Sequence, residues 1–238
     1  MNKTAKILLS IFLVPLAFIL LQPYTNNAYA SCQGGISNCY ARESYSSTTN
    51  SGNKLNTDVT TLTLTNYCTK LSDIAEWETF SNGDFLENGF GVGILAGNCR
   101  TADFAYQVTQ LGSNYNEYYL GNVATGSNQY FEISDTNKDK YWDLYWGASN
   151  TGHVLMVSAA ATNVRTGEES NEDNPTNLTI PKTHVFNIAR FVGAGIWQSW
   201  DSGTIQINGA GYYLTNCTPS YAHIHVETGV SPDCSGSH

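Results

Sequence analysis

The sequence predicts an all-β fold, a two-sheet antiparallel β-sandwich of jelly-roll type stapled by disulfides. Three observations carry that expectation. Short runs of alternating apolar and polar residues recur between Gly- and Asn-rich turns, and no long segment has helical periodicity. Only 13% of residues are charged, while Gly, Ser, Thr, Asn and Tyr are abundant, which suits the uncharged outer faces of an exported β-protein. The six cysteines are an even number, as a disulfide framework requires.

The chain opens with Lys3 and Lys6, then the apolar run ILLSIFLVPLAFILL (7–21), then the small-x-small signal Ala28-Tyr29-Ala30. This reads as a secretory signal peptide over residues 1–30, cleaved after Ala30, rather than a membrane anchor. Tyr29 stands where a lipobox has a branched apolar residue, so no lipid anchor is expected at Cys32. The mature protein is then secreted, extracellular and without a membrane partner. Without Lys3 and Lys6 it carries nine basic against twenty acidic residues, a formal charge of −11. Such an acidic surface argues against nucleic acid and anionic membrane as partners.

Residues 31–57, rich in Ser, Asn, Thr and Gly, are expected to form a loosely structured, disulfide-tied arm, with one β-sandwich domain over 58–238. Strands are expected at 58–65, 89–97, 103–111, 115–121, 129–134, 140–147, 153–162, 183–193, 203–209 and 221–229. The run LSDIAEWETF (71–80) fits a strand or a short helix, and residues 166–178 read as a polar loop in which Glu168 and Glu169 face solvent. Pairing each cysteine with its nearest neighbour in sequence gives Cys32–Cys39, Cys68–Cys99 and Cys217–Cys234.

The stretch YFEISDTNKDKYWDLYWG (130–147) reads as a hairpin. A loop centred on 137–138 would set Ile133 opposite Trp142 and Glu132 opposite Asp143. Phe131, Ile133, Trp142 and Leu144 would face the core, and Tyr130, Glu132, Asp143 and Tyr145 the other side. Asp135, Asn137 and Asp139 match the first ligands of a calcium loop, but Lys140 and Trp146 stand where such a loop needs Gly and Glu, so a plain turn is expected.

Two carboxylates facing each other across a sheet repel, which invites an explanation. One is an acid–base pair for hydrolysis, with Glu132 and Asp143 as the catalytic residues. Another is a binding face, because Tyr rings stack on sugars and carboxylates accept hydroxyl hydrogen bonds. Tyr115, Glu117 and Tyr119 share one face of their strand and would extend that surface. The ligand-binding set is then Tyr115, Glu117, Tyr119, Tyr130, Glu132, Asp143 and Tyr145. His223, His225 and Glu227 in HIHVE share a strand face and are of metal-ligand type, but an exposed face explains them equally, and no metal or cofactor is expected. No CxxC pair, serine-hydrolase G-x-S-x-G or Walker motif is present.

The order of EWETF, NGFGVGILAG, FAYQVTQLGSNYNEYYLG, the hairpin, GEE and FVGAGIWQSWDSG, over residues 58–209, resembles a group of secreted bacterial β-sandwiches without assigned function. These are similar to the concanavalin-like fold of lectins, glucanases and glutamic peptidases of the eqolisin and neprosin type. The resemblance implies a carboxylate paired with Gln or a second Glu, roles open here to Gln107, Glu117, Glu132 and Glu169. The leading expectation is recognition of a glycan or cell-surface polymer on a concave aromatic and carboxylate face. The alternatives are a two-carboxylate hydrolase, either a glutamic-type peptidase or a glycosidase, and a structural surface protein without ligand.

Overall fold

A computed structural model describes residues 38–217 and 222–235. Its seventeen strands are β1 (Cys39–Asn50), β2 (Gly52–Asp58), β3 (Thr63–Leu64), β4 (Leu71–Thr79), β5 (Phe85–Leu95), β6 (Asn98–Leu111), β7 (Asn114–Asn122), β8 (Asn128–Ser134), β9 (Tyr141–Trp146), β10 (Ser149–Leu155), β11 (Ala161–Ser170), β12 (Leu178–Thr179), β13 (Thr183–Gly193), β14 (Ile196–Ser199), β15 (Thr204–Asn208), β16 (Tyr212–Asn216) and β17 (His223–Thr228). One sheet runs β15-β1-β11-β4-β5-β6-β7. A second, eight-stranded sheet runs β10-β9-β8-β2-β13-β17-β16, with β14 also on β13, and β3 pairs with β12 in a separate two-stranded sheet. Every pairing is antiparallel, and the sheets pack as a β-sandwich.

Alternation places Ile74, Phe90, Ala105 and Val164 from the first sheet against Leu55, Phe131, Val185 and Ile224 from the second. A second apolar cluster joins Phe80 and Leu86 to Ile133, Trp142, Leu144 and Met156. The core faces expected for the hairpin are therefore present. A Cys68–Cys99 bridge ties the start of β6 to the segment before β4, and Cys217–Cys234 ties the end of β16 to the segment after β17. Cys39 is disulfide-bonded, and its expected partner Cys32 lies outside the described residues, as does the expected signal peptide. No helix among the described residues is long and apolar enough to cross a membrane.

The described part of the expected arm is not loosely held. β1 sits between β11 and β15, and β2 lies in the middle of the second sheet. Its polar residues misled because this sandwich has a partly polar interior. Glu43, Glu76, Glu78 and Glu168 are fully buried. Asn53 Nδ2 on β2 donates to Glu76 Oε2 across the interior at 2.8 Å, and Asn50 Nδ2 donates to Glu78 at 3.3 Å. Asn216 Nδ2 reaches Glu43 at 3.4 Å and Tyr213 N reaches Glu168 at 3.1 Å. Glu168 and Glu169 likewise belong to β11, not to a loop, and Glu168 is inside.

One oxygen in each of Glu43, Glu76 and Glu168 has no hydrogen-bond partner among the described residues. An ionised carboxylate is costly in that setting, so burial raises the pKa of all four glutamates, Glu43 to about 8. The unfolded chain releases such protons near pH 4.5. Between that pH and about 8 the folded chain binds more protons than the unfolded one, so stability must fall as pH rises. The urea midpoint is expected to be highest at or below pH 4.5 and to decline toward pH 8. Glu76→Gln, isosteric with the protonated acid, should flatten that decline, whereas a midpoint that climbs with pH would contradict the protonated interior.

Candidate active site

The central strands of the seven-stranded sheet place a second set of carboxyls on its outward face. On β4, Asp73, Ala75 and Trp77 point away from the core, alternating with Ile74 and Glu76. Across β11, Glu169 lies opposite Asp73 and Arg165 opposite Trp77. Across β5, Gly91 lies opposite Asp73 and Glu87 opposite Trp77. Tyr106 on β6 lies opposite Gly89. The glycines are a steric requirement: a Cβ on Gly91 would sit 2.6 Å from the Ser72 carbonyl oxygen and 3.0 Å from Asp73 Cβ.

Of these residues, Asp73, Trp77, Glu87, Arg165 and Glu169 border a cavity of about 510 Å³. Trp77, Phe85, Val108 and Tyr115 give it apolar walls, while Arg42 and Arg165 lie on the Glu169 side. Burial raises Glu87 to about 8, Glu169 adds repulsion, and hydrogen bonds from Tyr106 and Trp77 pull the other way. Burial, with repulsion from Glu87 and Glu169, also raises Asp73 well above the carboxylate range. Glu169 is raised by burial too, but Asn38, Arg42 and Arg165 oppose it. Asn38 Nδ2 donates to Glu169 Oε1, and Arg42 Nη1 lies 3.6 Å from Glu169 Oε2. Tyr106 donates its hydroxyl to Glu87. The cavity thus gathers three carboxyls that burial pushes up, with cations opposing the rise only at Glu169, an unequal setting of the kind that acid–base catalysis uses.

The expected binding surface is divided. Tyr115 and Glu117 line this cavity, with the Tyr115 hydroxyl donating to Glu117 at 3.0 Å. Tyr119 shares their face, beneath the Arg100 guanidinium at 3.7 Å. Tyr130, Glu132, Asp143 and Tyr145 belong to the other sheet and point outward from it, opposite in sense to the core residues Phe131, Ile133, Trp142 and Leu144. The hairpin is shifted by two residues from the expected register, with Glu132 opposite Tyr145 and Asp143 opposite Ser134. An even shift preserves the faces but removes the direct carboxylate pairing.

Each member of that expected pair has its own neutral or basic partners. Tyr130 and Ser134 donate to Glu132, while Asn150 and His153 contact Asp143 at 2.8 and 2.7 Å. The shift follows from the longer turn: Asp135 accepts from the Asp139 and Lys140 backbone N–H groups, and Lys138 and Lys140 adopt positive φ. Asp135 therefore caps the turn.

Among the residues that the resemblance indicated, Glu169 and Glu117 reach the cavity and Gln107 does not. Gln107 faces the other sheet, where its Nε2 donates to the Thr151 carbonyl at 3.3 Å. Sequence reasoning missed Asp73, Glu87, Trp77 and Tyr106. The available signals were carboxyls at both parities in SDIAEWE and glycines two and four residues beyond Glu87. His184, also missed, joins His223 and His225 in a separate group whose ligand nitrogens lie within 4.8 Å of one another.

Fold and cavity together define a β-sandwich with a carboxyl-rich site on one outward face. No protein-family model matches the sequence, and no curated protein matches it. Among solved structures, the chain is similar to scytalido-glutamic peptidase crystallised with a peptide-based transition-state analog, with a TM-score of 0.55 and 10% identity over 80% of this chain and 98% of that one. A second structure of that peptidase, with a transition-state analog inhibitor, gives 0.53 and 11% over the same shares. At such identity the likeness establishes a shared fold.

The glycine requirement is directly testable. Gly91→Ala is expected to cost about 1–3 kcal/mol in chemical denaturation, because the Ser72 backbone cannot give way freely. An unchanged midpoint would mean that β4 and β5 do not approach as closely as described.

Proposed function

We propose that this protein is an extracellular hydrolase working by carboxyl acid–base catalysis, with peptide bonds as its substrate class. The observation that carries the reading is the convergence of Asp73, Glu87 and Glu169 on one cavity in unequal electrostatic settings. The fold likeness to a peptidase crystallised with a peptide-based analog supports the substrate class. Two disulfides and the amino-terminal leader support export.

In this reading Glu169, as carboxylate, takes a proton from water while the water oxygen bonds to the scissile carbonyl carbon. Glu87, as the acid, gives its proton to the leaving nitrogen as the C–N bond breaks. Return of the proton from Glu169 to Glu87 resets the site. Burial, with repulsion from Glu169, favours the protonated form of Glu87, and Tyr106 orients the Glu87 carboxyl. Trp77, Phe85 and Tyr115 would hold apolar side chains of the substrate.

A glycan or surface polymer bound without cleavage is the second reading, favoured by the Trp77 and Tyr115 rings beside carboxyls. The mature chain, incubated with a mixed peptide library and a polysaccharide panel from pH 3 to 8, separates the two. Cleavage should rise as Glu169 ionises and fall as Glu87 loses its proton near about 8. Glu169→Gln and Glu87→Gln should each lower it by about 10²–10⁴. Polysaccharide retention that survives Glu169→Gln, with no peptide cut at any pH, would replace hydrolysis by recognition.

A further inference from the structure

The outward face of the eight-stranded sheet carries a second cluster that the proposed hydrolytic site does not use. His184 on β13 lies directly opposite His225 on β17, and His223 follows on the same face two residues away. Their rings are withdrawn from solvent: His225 is fully buried, His223 is 9% exposed, and the His184 side chain is 12% exposed. The rings of His184 and His225 stack at 4.2 Å between centroids, and His223 Nε2 lies 3.2 Å from His225 Nε2. Two nitrogens on one tetrahedral zinc, each about 2.0–2.1 Å from the ion, are separated by about 3.3–3.4 Å. The His223–His225 spacing is close to that edge, and the His184 ring, parallel to that of His225, must turn to bring its nitrogen to the same ion.

The outer nitrogens are held in the manner of metal ligands. His225 Nδ1 lies 2.6 Å from the Asp233 carbonyl oxygen. A carbonyl only accepts, so Nδ1 carries the proton and Nε2 keeps its lone pair. His184 Nδ1 lies 3.4 Å from Asp58 Oδ2, close enough for that carboxylate to turn onto the ring as a ligand's outer partner. The Asp233 carbonyl is itself anchored. Its neighbour Cys234 is bridged to Cys217, and Lys182 Nζ lies 2.8 Å from the Asp233 carboxylate.

We propose that His184, His223 and His225 form a binding site for a divalent transition metal, zinc in particular. The chain supplies three imidazole nitrogens, and a water or substrate atom completes the tetrahedron. Borderline-soft ions suit such a donor set, and calcium or magnesium does not.

The test uses the mature, untagged, oxidised chain. Titration with Co²⁺ should give ligand-field bands in the visible region that saturate at one equivalent, and Zn²⁺ should abolish them. Calorimetry with Zn²⁺ should show the same stoichiometry, and Zn²⁺ should raise the thermal midpoint. His223→Ala should weaken Zn²⁺ binding more than tenfold and remove the thermal shift, while His153→Ala on the exposed face should change neither. Asp58→Ala, which keeps all three nitrogens, should weaken binding about 10–100-fold and retain the cobalt spectrum. A chain that takes up no Zn²⁺ or Co²⁺ overturns the proposal. So does full-affinity binding in a His184→Ala/His223→Ala double variant that remains folded by circular dichroism.

Discussion

Glu43, Glu76 and Glu168 of the seven-stranded sheet each accept a hydrogen bond from the eight-stranded sheet across the interior. Apolar contacts between two sheets are non-directional and tolerate sliding, whereas a buried carboxyl is satisfied only at one relative position. Asn53 meets Glu76 from the middle of the second sheet, and Tyr213 and Asn216 meet Glu168 and Glu43 from its edge strand. Two separated anchor regions fix both the offset and the rotation of one sheet on the other. Trp200 tightens the first by donating its indole N–H to Asn53 at 3.1 Å. These contacts stabilise the fold while the carboxyls are protonated, which ties the packing of the sandwich to acidic conditions.

β4 shows how one physical effect serves two ends. Its inward carboxyls, Glu76 and Glu78, and its outward one, Asp73, are all pushed up chiefly by burial. Inside, asparagine N–H groups donate to Glu76 and Glu78 and offset part of that rise. Outside, Glu169 with its arginine neighbours stands beside Asp73 and Glu87 along one cavity. Gly89 and Gly91 hold β5 against β4, so Glu87 approaches the same cavity. Proximity between carboxyls in unequal electrostatic settings, rather than their number, sets that face apart.

The carboxy-terminal disulfide has a related role at distance from the cavity. Cys217–Cys234 closes a 17-residue separation and brings Asp233 back over β17. Without that return the His225 ring would have no carbonyl to set its tautomer. The bridge therefore organises the histidine cluster as well as restraining the unfolded chain.

Residue order alone determined the sandwich class, two of the cysteine pairs and the core faces of the hairpin. All are local or pairwise properties that alternation, composition and spacing express directly. It misjudged residues 39–57 and 166–170, because polar and acidic residues normally mark loops and here they fill strands with buried partners. It also brought Glu132 and Asp143 face to face, since turn length sets register and Asp135 lengthens the turn by its own backbone capping. Only the tertiary structure decided which carboxyls meet. Alternation assigns a side chain to one of two faces, but strand order, which sets Glu169 of β11 beside Asp73 of β4 and His184 beside His225, is a long-range outcome of packing.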